Sequence, residues 1–244
     1  MAEEIRLRTP SKYSVSSSSP SISSTSTPPP PPPPSLSWLL RTWSVTDSTL
    51  AMWRNARNVR ITYIALPGNS SGAARVDDVV EYEALNGKGG VKSVKGIDTA
   101  ASPPEATATT GTAGGGKEEG GEEQRVAEWD WRGKSWLFFV SSHWEVLGWG
   151  EERITVKSKN EGGEEVEEEA TERWVVTWFA PTVFTKEGVD FYCDRREGLS
   201  EGTRERLMEA FKREFGEKEG KKEVWSMVER DMRGVKVELP WKET

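Results

Sequence analysis

The feature that most constrains this chain is a period-two alternation of apolar side chains, repeated in several short segments. Val59, Ile61, Tyr63 and Ala65 alternate with Arg60, Thr62 and Ile64, and Trp129 and Trp131 alternate with Glu128, Asp130 and Arg132. This spacing sends successive side chains to opposite faces of a sheet, so it predicts half-buried strands. In a third segment Trp174, Val176 and Trp178 alternate with Val175, Thr177 and Phe179. Neither set is charged, which predicts a strand buried on both faces.

The punctuation between these segments is that of a meander. Asn86-Gly87 separates strand candidates ending near Glu83 and starting near Val91, Gly133 separates Trp131 from Trp136, and Gly188 separates Phe184 from Val189. Asn-Gly supplies the positive φ angles of a tight hairpin, and glycine does the same in longer turns. Roughly eight to nine strand candidates linked in this way can stack as a sandwich or close into an up-and-down antiparallel β-barrel. Closure is preferred because it leaves no unpaired edge.

One segment is ambiguous, since Trp136, Phe139, Val140, His143, Trp144 and Leu147 also fit a helical stripe; the flanking glycines favour strand. The C-terminal part reads differently. Ser200 can cap a helix whose Leu207, Phe211 and Phe215 share one face, and Val224, Met227, Val228 and Met232 repeat the pattern, so helices packing on the barrel are expected over about residues 200–232. Val235, Val237 and Leu239 then alternate before Pro240, which suggests a short last strand.

Low-complexity stretches leave material for one core rather than two, although the chain has 244 residues. Residues 1–35 are rich in Ser, Thr and Pro and read as a disordered tail ending in Pro28 to Pro34, a polyproline run with no apolar area to bury; the folded domain is then 36–244. That run is either a ligand for a polyproline-binding protein or, more commonly for such runs, a solvated spacer. Two further inserts, at about 102–124 and 158–171, read as extended loops; the second carries Glu164, Glu165, Glu167, Glu168 and Glu169.

The formal charge of -7 gives no basic field for nucleic acid. The single Cys193 excludes an intrachain disulfide, and no apolar run approaches the ~20 residues of a membrane span, so a cytoplasmic protein is expected. His143 is the only histidine, which leaves no His or Cys/His cluster for a metal; no Gly-x-Ser-x-Gly elbow or phosphate loop is present, and no cofactor is expected.

Leu39-Leu40-Arg41-Thr42-Trp43-Ser44-Val45 resembles the first strand of lipocalin-like calycins, in which an indole lies across the barrel floor. A closer likeness runs through Ser48-Thr49-Leu50-Ala51-Met52-Trp53, Arg57-Asn58-Val59-Arg60-Ile61-Thr62-Tyr63, Val76-Asp77-Asp78-Val79-Val80-Glu81-Tyr82 and Gly96-Ile97-Asp98. It continues through Trp129-Asp130-Trp131-Arg132-Gly133-Lys134, Ser141-Ser142-His143-Trp144-Glu145-Val146-Leu147-Gly148 and Glu197-Gly198-Leu199-Ser200. Together these are similar to fungal lipocalin-like proteins, a group that includes pericyclases of polyketide-derived decahydrofluorene pathways. The resemblance implies a lipocalin-like barrel closed at one end by Trp43. It transfers no catalytic residue set.

Twelve tryptophans exceed what packing usually recruits, and an indole offers a wide apolar face with one donor. Trp43, Trp129, Trp131, Trp144, Trp174 and Trp178 are the candidate wall of a cavity for a small hydrophobic molecule; equally, they can fill a solid core. If the chain is an enzyme, a pericyclase-type cyclase without metal or nucleotide cofactor is the expectation, holding a polyene in its reactive fold while Tyr63 or Tyr192 polarises a carbonyl. His143 with Glu145, two residues on and on the same strand face, is the acid-base candidate, set against a histidine simply bonded within a sheet. A scaffold acting through Pro28 to Pro34 is the third reading. Asp77, Asp78 and Glu81 lie on one strand, with Asp77 and Glu81 sharing a face, and could form an acidic patch inside or outside the barrel; outward solvation is expected.

Overall fold

A computed structural model of the chain describes residues 4–14, 30–68, 72–101, 124–159, 163–216 and 220–243. The expected loop at about 102–124 lies almost wholly outside them.

The alternating segments form one antiparallel sheet of nine strands: β1 (Thr42–Ser48), β2 (Ala56–Leu66), β3 (Arg75–Ala84), β4 (Lys92–Ala100), β5 (Glu128–Gly133), β6 (Ser141–Lys159), β7 (Glu165–Phe179), β8 (Gly188–Cys193) and β9 (Arg233–Gly234). Each strand from β2 to β8 pairs with the next in sequence, and β8 returns to β1. The ring closes because β1 is shared. Thr42, Trp43 and Ser44 pair with Thr62, Ile61 and Arg60 of β2, whereas Ser44 to Ser48 pair with β8 past a bulge at Val45/Asp47. Where β2 has diverged, Asp47 and Ser48 find a new partner in β9. No edge of β1 is left bare.

The Asn86-Gly87 turn occurs as expected, with Gly87 at φ +69° and its N–H bonded to the Ala84 carbonyl. Gly96 has a different reason. A side-chain carbon there would lie 2.0 Å from Trp131 Nε1, so only glycine lets that indole lie across β4.

Among the described residues three helices accompany the sheet: α1 (Leu36–Leu39), α2 (Glu201–Phe215) and α3 (Lys222–Asp231). Ser200 caps α2 as its sequence predicts, accepting from the Thr203 N–H at 3.4 Å while its own N–H and hydroxyl donate to the buried Glu172 at 2.8 and 2.9 Å. Leu207, Phe211, Phe215, Val224 and Val228 are all buried against the outer face of the sheet. Among the described residues no helix is long and apolar enough to cross a membrane.

Four expectations need correction. Residues 164–171 are mostly strand, because the facing segment of β6 supplies basic and β-branched partners: Lys157 pairs with Glu167, Val156 with Glu168 and Thr155 with Glu169. The segment from Trp136 to Leu147 is divided: Ser135–Leu137 form a 3-10 turn that leaves Trp136, Phe138 and Phe139 exposed, and β6 starts only at Ser141. The last strand falls at Arg233–Gly234, and the alternation at Val235 to Leu239 is held instead by bonds to Asn58, from its N–H to the Lys236 carbonyl and from the Glu238 N–H to its side chain.

Finally, the folded body begins before residue 36. Ile5 and Leu7 are buried beside β6 and α2, with the Arg8 N–H bonded to the Leu147 carbonyl at 2.6 Å. The proline run also rests on the sheet: Trp149 Nε1 donates to the Pro32 carbonyl at 2.8 Å and Arg125 to that of Pro33 at 3.0 Å. Pro28 and Pro29 lie outside the described residues.

Candidate functional site

Closing a sheet into a ring gives every strand an inner and an outer face. The inner face holds one core, with Trp43, Val45, Val59, Ile61, Tyr63, Val76, Trp129, Trp144, Val146, Val175 and Tyr192. Trp43 is fully buried and its Nε1 donates to the Leu39 carbonyl at 2.9 Å, which ties α1 across one end of the ring. Above it Trp129, Trp144 and Tyr63 form a stack of three rings, successive centroids 5.7 Å apart and planes 14° from parallel.

Beyond this stack the interior is not filled. A cavity of about 190 Å³ lies toward the other end of the ring. Its lining includes Leu50, Trp53, Ile61, Tyr63, Val80, Trp131, Trp144, Phe179 and Tyr192, with polar Asp78, Ser142, Thr177 and Asp190. The 3-10 turn Ala51–Asn55 brings Trp53 to this end, where it meets Tyr82 edge-on at 5.3 Å.

Of the six tryptophans expected to wall a cavity, Trp131 and Trp144 line it, and Trp43 and Trp129 pack the interior without lining it. Trp174 and Trp178 lie on the other face of β7, buried with Phe191, Phe211 and Phe215 beneath the helices. Period two established that β7 is buried on both sides but not which side is inner.

Tyr63 and Tyr192 line the cavity, and burial raises both phenols well above their ordinary range, so each is a neutral hydroxyl there. His143 and Glu145 are close together but outside the ring. His143 Nδ1 lies 2.9 Å from Asp130 Oδ1 and its Nε2 3.6 Å from Glu145 Oε1. Glu145, then Asp130, raise His143 to about 9 against the opposing effect of burial. Glu145 is itself covered by the N-terminal segment, accepting from Ser11 N–H at 2.9 Å and Ser11 Oγ at 2.6 Å. This clasp between β5, β6 and the N-terminal segment lies on the sheet face opposite the cavity-lining Ser142 and Trp144. Cys193 is buried and its thiol is pushed up to about 12, so it is no nucleophile.

The interior carboxylates are what the sequence reading missed. Asp77 and Glu81 do face outward, bonded to Lys134 at 2.5 Å and Arg60 at 3.0 Å. Asp78 has the opposite parity and points inward, 7% exposed. Asp78 pairs with Gly96 and Val76 with Asp98, so Asp78 and Asp98 are diagonal neighbours on one face of β3 and β4. Asp98 is fully buried; its Oδ1 accepts from Trp144 Nε1 at 2.8 Å, while Oδ2 has no protein partner, and neither has Asp78 Oδ1. Burial, with Asp77 adding to it, pushes Asp78 up to about 7; burial, then Asp78, pushes Asp98 well above the carboxylate range. Asp190, across the cavity on β8, is also raised to about 7 by burial, even though Ser48 Oγ donates to it at 2.5 Å.

The signal for these residues was parity. Asp78 alternates with Val76 and Val80, and Asp98 with Gly96 and Ala100, all small or apolar positions. Among the described residues no group of histidine, cysteine and carboxylate side chains is arranged to hold a metal ion. The chain matches no protein-family model and no curated protein sequence.

Proposed function

We propose that this protein is a lipocalin-like β-barrel that binds a small, largely apolar molecule inside its ring of strands. The observation that carries the reading is a recess of about 190 Å³ that enters the ring and is walled mainly by apolar surface, with Trp131, Trp144, Tyr63 and Tyr192 in its lining. Concave, mostly apolar recesses with a few polar groups are the usual form of a small-molecule site. Drug-sized ligands occupy about 300–1,000 Å³, so the guest is smaller than these, or is one end of a longer molecule.

That volume favours binding of a compact guest over the cyclase alternative, whose polyketide-derived polyene is larger. The carbonyls of Pro32 and Pro33, committed to Trp149 and Arg125, weigh against a scaffold acting through the proline run.

Native mass spectrometry of the purified protein tests the proposal. It predicts a ligand-bound mass, either as isolated or after addition of small aromatic compounds. A bare protein mass under every addition contradicts it.

A further inference from the structure

A cavity built only for a hydrocarbon has no use for acids, yet two carboxyl groups line this one and a third stands close by. Asp78 and Asp190 line it, and Asp98 stands beside Asp78 behind the Trp144 indole. A buried carboxylate is costly unless paired, and an unpaired one is normally removed by a cation or an array of donors. Here the donors are few and uncharged: Trp144 Nε1 to Asp98, Ser48 Oγ to Asp190 and the Trp131 indole to Asp78. Among the described residues no lysine, arginine or histidine lines the cavity. Asp78 Oδ1 and Asp98 Oδ2 lack partners, and so does Thr177 Oγ1, a separate cavity-lining group that is 1% exposed. Asp78 Oδ1 and Thr177 Oγ1, on different strands that line the one cavity, together mark a missing hydrogen-bonding group. The surrounding faces are aromatic: Tyr63 and Trp144 stacked on one side, Trp131 on another. Aromatic faces and carboxylates together attract a cation and reject an anion.

We propose that the cavity takes a small organic cation, an alkyl- or arylalkyl-ammonium whose N–H groups meet the cavity-lining Asp78 and Asp190 and whose apolar part lies against Tyr63, Trp131 and Trp144. This rests on the reading of the void as a ligand cavity, and it specifies the chemistry of the guest. The amine arrives protonated; the site, holding protons on its acids when empty, releases one to solvent as the ammonium enters. Asp78 is the group that exchanges it. Asp98 on β4 neighbours Asp78 on the inner face, Asp77 acts on it from the outer face of its own strand, and the neutral Tyr63 and Tyr192 and the acid Asp190 line the same cavity, with Arg54 acting on Asp190. Arg54, the cation among these groups, is not one of the residues lining the cavity.

The test is calorimetry on the full chain with phenethylamine and with its uncharged isostere phenethyl alcohol, repeated on Asp78→Asn and Asp190→Asn. The wild type is expected to bind the amine about tenfold or more tightly than the alcohol, with proton release seen as a dependence of the heat on buffer ionisation. Its affinity for the amine rises between about pH 6 and about pH 8. Each Asn variant is expected to lose the preference for the amine while still binding the alcohol. Both variants remove a buried acid without changing shape, and a thermal melt confirms that they fold. Equal binding of amine and alcohol by the wild type, or an unchanged preference in both variants, overturns the cation assignment and leaves the cavity reading standing. Binding of neither compound overturns both.

Discussion

The two cores of this molecule share strands and differ in how they are finished. The outer core, where Trp174, Trp178 and Phe191 meet Leu207, Phe211, Phe215 and Val224, is closed by two amphipathic helices and by Ile5 and Leu7. Phe191, Phe211 and Phe215 sit at mutual ring distances of 5.6 and 5.2 Å with no exposed area. The inner core uses the opposite faces of the same β7 and β8, and there Thr177, Asp190 and Tyr192 stand around a void. Phe191 follows Phe184 by seven positions, and within that span the chain passes from an exposed loop to a fully buried strand. The difference teaches where stability resides and where it is given up. Packing holds the outer face, and the inner face keeps unsatisfied acids that packing alone would have replaced.

The largest expected effect comes from opening the outer core. Phe211→Ala should lower the unfolding free energy by about 3–5 kcal/mol in urea titration, since a fully buried ring is lost. The inner core should respond with the opposite sign. Asp78→Asn is expected to raise stability by about 1–3 kcal/mol at mildly alkaline pH, because it removes a carboxyl whose ionisation inside the ring is opposed by burial.

The same acids set a pH dependence. Asp78 and Asp190 hold their protons to about 7 in the folded chain and lose them near 4 when unfolded, so the folded state binds more protons between those values. Their contribution is complete below the unfolded value and declines as pH rises to about 7. A thermal melting series should show that decline in the wild type and a shallower one in Asp78→Asn. A flat wild-type profile would mean that these carboxyls are not buried as described.

The smallest effect should lie at the outer clasp. Ser11→Ala removes one of the donors to Glu145 and is expected to cost about 1 kcal/mol, with faster proteolysis near residue 11 as the more sensitive readout. His143, raised to about 9, contributes fully below its unfolded value near 6.5 and loses that contribution as pH passes about 9. Proteolysis of the N-terminal segment should therefore quicken above that pH.

Much of this architecture was legible in the sequence because it depends on local rules. Period two located the strands, Asn86-Gly87 fixed one hairpin, and Ser200 with Leu207, Phe211 and Phe215 defined α2. What was not legible depended on which partner a segment finds. The acid-rich stretch at Glu165 to Thr171 has no strand signal until the basic, β-branched face of β6 is placed beside it. Ile5 and Leu7 are only two apolar residues in a polar tail, and they matter because β6 bulges between Val146 and Gly148 and admits them there. Inner and outer faces of β7 are chemically alike, so Trp174 and Trp178 could be assigned to either. For Asp78, the general rule that acids stay in water outweighed the parity that points it inward.

Indole N–H resonances test the central claim most directly, since the cavity-lining and outer-core tryptophans report separately. In a protein labelled with nitrogen-15 at tryptophan, titration with a bound small guest should shift Trp131 and Trp144 and leave Trp174 and Trp178 in place. Unmoved Trp131 and Trp144 signals, or shifts confined to Trp174 and Trp178, would contradict an interior binding cavity.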